Sequence, residues 1–152
     1  PQVAAPHSPA NTQPVNSYPD IEVDIAYIGA CTGAKLSDMR MAAQILNGRN
    51  LRSKLLVAPS SKADQMQAES EGIMAIFEDA GATILPNSCG ICAGYGVDRL
   101  GEDVTCISST ARNFQGRMGA NSSRVYLGSP YTVAASAITG RITDPREFGD
   151  AA

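Results

Sequence analysis

Four cysteines and two arginines are the residues of this chain whose types and spacing could do chemistry. Cys31 stands in Gly29-Ala30-Cys31-Thr32-Gly33, and Cys89 and Cys92 stand in Pro86-Asn87-Ser88-Cys89-Gly90-Ile91-Cys92-Ala93-Gly94. Two thiolates three positions apart in a glycine-bearing turn can bind one metal centre, and a third from a neighbouring loop completes a triangular face. Glycines at 29, 33, 90 and 94 let backbone approach such a site and leave N–H groups free for sulfur. Other readings of a Cys-x-x-Cys pair stay open on spacing alone: a redox dithiol, half of a zinc site, or two plain thiols. Structural zinc wants four ligands. Cys106, mid-strand between Val104 and Ile107, reads as a buried structural thiol, and His7 as a solvated surface residue. Three cysteines without a convincing fourth favour a cluster with one open iron. The second group is Ser108-Ser109-Thr110-Ala111-Arg112-Asn113-Phe114-Gln115-Gly116-Arg117. Arg112 and Arg117 could clamp a carboxylate, because guanidinium donors match planar oxyanions bidentately. Taken alone, a pair of solvated surface arginines explains them better.

Something must hold these loops together, and the apolar pattern says what. Ile25–Ile28, Lys54–Ala58, Thr83–Leu85, Val104–Ser108 and Arg124–Leu127 are short strand-like runs. Leu36, Met39, Ala43 and Leu46 recur at helical spacing and end at Asn47-Gly48. A helix capped by Ser60 or Ser61 carries Met66, Ile73, Ile76, Phe77 and Ala80 to a C′ glycine at Gly81. Ser129-Pro130 opens a last helix that Gly140 closes. Strands alternating with amphipathic helices predict an α/β fold: three α/β/α layers around a mostly parallel sheet. In such sheets the ligand lies beyond the carboxyl ends of the strands, where the cysteine and arginine loops fall.

The chain has 152 residues, enough for one domain with a real core. Residues 1–20, with Pro1, Pro6, Pro9, Pro14 and Pro19, read as an extended lead-in on the surface. Residues 21–150 read as a single cluster-binding domain. Starting at Pro1 without Met points to a piece of a longer protein or to processing. With a net charge of −3 and a pI near 5.0, the chain offers no field for nucleic acid or a membrane surface. No apolar run approaches the roughly 20 residues that span a bilayer. There is no secretory leader pattern, so the expected address is cytoplasmic.

Together these segments resemble the aconitase superfamily, and within it the large, cluster-bearing subunits of the 3-isopropylmalate dehydratase type. Ile28 through Lys35 is similar to the family's Gly-Ser-Cys-Thr-Asn segment, Gly81 through Gly94 to its second cysteine segment, and Arg112 through Arg117 to its Asn-Arg-Asn-Phe-x-Gly-Arg. Gly33 and Ala111 stand where the family has asparagines. The resemblance covers nearly the whole chain, with three spaced motifs in order. It implies the aconitase iron–sulfur domain fold, with Cys31, Cys89 and Cys92 holding a 4Fe-4S cluster and Arg112 and Arg117 binding substrate carboxylates. It also implies a hydro-lyase acting on a hydroxylated di- or tricarboxylic acid. The catalytic base is then no residue of this chain, since the family carries it on a swivelling domain. The implied partners are the swivelling-domain small subunit and the preceding large-subunit domains, with no nucleic acid or membrane. The competing expectations are an aconitase- or homoaconitase-like hydratase of another substrate, a cluster-free binding module, and a thiol-disulfide module using Cys89 and Cys92.

Overall fold

Ile25–Gly29, the run of small and apolar residues just ahead of Cys31, forms strand β3 in the interior of a seven-stranded sheet. The other strands are β1 (Gln2–Ala4), β2 (Thr12–Pro14), β4 (Lys54–Ala58), β5 (Thr83–Ile84), β6 (Thr105–Ser108) and β7 (Arg124–Leu127). The computed structural model describes residues 1–149, so the last residue of the expected 21–150 domain lies outside them. The order across the sheet is β2-β1-β7-β6-β3-β4-β5. β3 to β7 are mutually parallel, and β1 pairs antiparallel with both β7 and β2. The α/β class and the mostly parallel sheet are therefore as expected.

Strand side chains alternate between faces, and each face has its own core. Ala26, Ile28, Leu55, Val57, Ile107 and Tyr126 belong to the core that takes in all four α-helices: α1 (Leu36–Leu46), α2 (Lys62–Ser70), α3 (Ile73–Ala80) and α4 (Pro130–Thr139). Tyr27, Leu56, Ala58, Cys106 and Val125 face the opposite way. There Ile91, Leu100 and Met118 from the long stretch between β5 and β7 cover them. That third layer is loop and turn, with a single 3₁₀ turn at Gly90–Ala93.

Two local departures have clear causes. The helix expected from Ser61 to Ala80 is two helices, because Gly72 adopts a left-handed φ of 77° and redirects the chain. Ser61, not Ser60, caps α2 by accepting from the Asp64 N–H at 3.1 Å. The proline-rich lead-in forms two short paired strands, β1 and β2, joined by turns and followed by a 3₁₀ turn at Val15–Ser17. β1 closes the sheet beside β7, and Val3 and Val15 are buried in the main core.

Candidate metal centre

β3, β4 and β5 run outward from the middle of the sheet in one direction, and β6 and β7 run in the other. The chain order reverses between β3 and β6, which makes the carboxyl ends of these two strands the switch point of the sheet, the place where such sheets bind ligands. Cys31 leaves the end of β3, and the Ser109–Arg117 segment leaves the end of β6.

The Cys31 turn is built tightly. Ala30 takes a φ of 27°, and the N–H groups of Gly33 and Ala34 both return to the Ala30 carbonyl, at 3.3 and 3.1 Å. This reversal leaves Cys31 exposed at the tip. Ser109 fastens the turn to β6. Its N–H donates to the Tyr27 carbonyl at 3.0 Å, its hydroxyl donates to the Gly33 carbonyl at 2.7 Å, and it accepts the Gly29 N–H at 3.2 Å. The packing is close enough that a Cβ on Gly33 would lie 2.2 Å from the Ser109 carbonyl oxygen. Where the family has asparagine at this position, this backbone admits only glycine.

Cys89 and Cys92 follow β5. Asn87 holds the start of their loop by donating to the Pro59 carbonyl at 3.2 Å. Gly90 and Gly94, at φ 32° and 76°, close the 3₁₀ turn, and Ile91 anchors it in the second core. Cys89 is exposed and Cys92 half-buried. Burial raises the Cys92 thiol above its ordinary value, against the pull of a hydrogen bond and positive charge from Arg117. Cys89 and Cys31, as thiolates, would raise it further, so the three thiols lie within electrostatic reach of one another. Cys106 is fully buried in the sheet, its thiol raised by desolvation, and His7 is exposed; neither joins the group.

The two arginines do not stand alike. Arg112 is exposed, while Arg117 is half-buried beside Cys92. Among the described residues neither is paired with a carboxylate. Between them Asn113 is fully buried, donating to the carbonyls of Ala5 at 2.8 Å and Val125 at 3.1 Å. The arginine loop is thus pinned to β1 and β7 through one side chain. Sequence reasoning missed Ser109, Asn113 and Tyr27. The first two are visible only as small polar residues near the arginines, and Tyr27 only as one more apolar strand position.

No three His, Cys, Asp or Glu residues among those described are grouped to share one metal ion. An iron–sulfur cluster sets a different requirement, one thiolate per iron with hydrogen bonds to its sulfurs. The residues fit that requirement. Cys31 and Cys89 are exposed and Cys92 is half-buried within electrostatic reach of both, and two buried donors near Cys92, the Tyr27 hydroxyl and the Arg117 Nε, have no partner in the protein.

The model of the aconitase family (aconitate hydratase) matches residues 2–140, and the chain belongs to the aconitase family. It is 46% identical over 152 residues to a 3-isopropylmalate dehydratase large subunit from Nautilia profundicola. It is also 45% identical over 151 residues to a 3-isopropylmalate dehydratase large subunit 1 from Pyrococcus furiosus, and 42% over 150 to another from Methanopyrus kandleri. Each match covers 97% of this chain and 36% of the relative's length. The chain thus spans about a third of the curated relatives it matches.

Proposed function

We propose that the chain is the cluster-bearing part of a hydro-lyase of the 3-isopropylmalate dehydratase type, removing and restoring water on a hydroxylated dicarboxylate. What supports this reading is that Cys31 and the arginine loop leave the adjacent parallel strands β3 and β6, that Arg117 lies beside Cys92 within electrostatic reach of Cys31 and Cys89, and that among the described residues neither arginine is paired with a carboxylate. In this reading Cys31, Cys89 and Cys92 hold a 4Fe-4S cluster. When bound, such a cluster supplies an open iron as a Lewis acid for the departing hydroxyl.

The chain's own residues have other work. Arg112, exposed on the loop that leaves β6, takes a substrate carboxylate in a bidentate grip and fixes which face of the substrate is presented. Arg117, seated against Cys92, adds positive charge beside it and offsets part of the burial that raises the Cys92 thiol. Ser109 keeps the Cys31 turn in register with the arginine loop. The proton beside the carboxylate needs a base from outside this chain, on a swivelling small subunit. The rest of the large subunit closes the site against water. The proposed address is the cytoplasm. Among the described residues no helix is long and apolar enough to cross a membrane.

The test is anaerobic loading with iron and sulfide, followed by absorbance near ~400 nm and EPR. Wild type and Cys106→Ala should develop the brown chromophore, and Cys31→Ser, Cys89→Ser and Cys92→Ser should each lose most of it. A colourless wild type would defeat the proposal. Full colour with Cys31→Ser would defeat it too, and would return the Cys89–Cys92 dithiol to consideration.

A further inference from the structure

Tyr27 sits in the middle of β3 on the face opposite the helices, and its side chain is completely buried. Its ring lies along the strand, toward the carboxyl end. A Cβ placed on Gly29 would meet the Tyr27 Cζ at 2.2 Å and its hydroxyl oxygen at 2.4 Å. Gly29 is therefore the vacancy that lets the phenol extend past the strand toward the cysteine turns. The hydroxyl reaches that position with no hydrogen-bond partner in the protein. An unpaired buried hydroxyl is costly, and a strand position that wanted only an apolar ring would be served better by phenylalanine. Burial first, and then the negative charge that Cys92, Cys106, Cys89 and Cys31 would carry as thiolates, drive its proton affinity far above that of an ordinary tyrosine. It is a donor at every pH the protein meets. The ring also lines a cavity of about 210 Å³ under the loop that carries Cys89 and Cys92, together with Leu85, Ser88, Gly90 and Ile91.

We infer that Tyr27 is a hydrogen-bond donor to sulfur at the metal centre, completing its hydroxyl only when the cluster is present and setting the cluster's reduction potential. This rests on the proposal that Cys31, Cys89 and Cys92 hold that cluster. A hydrogen bond to a cluster sulfur or a ligating thiolate stabilises the reduced, more negative state and so raises the potential.

The test is Tyr27→Phe, which keeps ring and volume, in the full chain loaded anaerobically. Without the cluster, the variant should melt at the same temperature as wild type or higher, because an unpaired hydroxyl has gone. With the cluster, its EPR-monitored midpoint should move to a more negative potential, and its colour should bleach in air several-fold faster. Wild type should also show an exchangeable-proton coupling to the reduced cluster by ENDOR in D₂O exchange, absent from the variant. This reversal between the empty and loaded forms is what a purely structural tyrosine would not give. If both proteins load equally and share one potential and one bleaching rate, the hydroxyl bonds a cavity water instead and the inference falls. If wild type takes up no cluster, the parent proposal fails rather than this one.

Discussion

Gly33 is a position where chemistry and packing make opposite demands. The family's asparagine would bring a polar side chain to the Cys31 turn, yet a Cβ here meets the Ser109 carbonyl at 2.2 Å. Restoring the asparagine should therefore displace the turn from β6. Gly33→Asn is expected to cost about 1–3 kcal/mol in chemical denaturation, the range of an overpacked site, and to reduce cluster retention. A variant as stable as wild type would show that the turn can yield. The alternating strands, the helix caps and the cysteine loops were legible because hydrophobic period and capping residues are local signals. The Ser109 clasp and the orphaned Tyr27 hydroxyl were not. Their roles depend on which strand lies beside which, and Ser109 is 80 residues from the glycine whose N–H it accepts.

At the scale of elements, α1 and the two helices after it are joined by polar contacts as well as by the core. Asp64 accepts from the Ser60 and Ser61 hydroxyls and from the Leu36 N–H, tying the start of α2 to the start of α1. At the other end of α2, Arg40 forks onto Glu71, with Nε and Nη2 at 2.7 and 2.6 Å from its two oxygens. The Arg40 hydrogen bonds, with one from Gln67, lower the Glu71 carboxyl from 4.5 to about 2. Its folded value lies below its unfolded value, so its contribution is fully present above pH 4.5 and is lost as pH falls toward 2. Stability measured between pH 5 and 2 should decline less steeply in Glu71→Gln than in wild type. Added salt should shrink the difference, because the pair is exposed. Equal slopes would mean that the pair contributes nothing. The sequence showed the caps here but not the break at Gly72. An apolar face running from Met66 to Ala80 reads as one helix until Gly72 is seen in a left-handed conformation.

For the molecule as a whole, the lead-in strands matter more than their proline content suggests. β1 covers the edge of β7, and its neighbour Ala5 receives the Asn113 side chain that pins the arginine loop. Removing residues 1–14 should lower the melting temperature and uncover the β7 edge. The shortened chain should then self-associate more than the full one by light scattering, and its arginine loop should exchange amide protons faster. An unchanged melt and size would assign the lead-in no part in the fold. The order of the strands also has a consequence in time. The switch point lies where β3 pairs with β6, two strands whose paired residues Tyr27 and Ser108 stand about eighty positions apart, and the sheet is sealed by β1 against β7, farther apart still. During synthesis at roughly 5–20 residues per second, Cys31 emerges many seconds before the strand that completes its surroundings. Such distant pairings also form slowly once the chain is whole. The early cysteine therefore spends its first moments as an unsheltered thiol, and under the proposed function iron and sulfide would be delivered only after the sheet has closed.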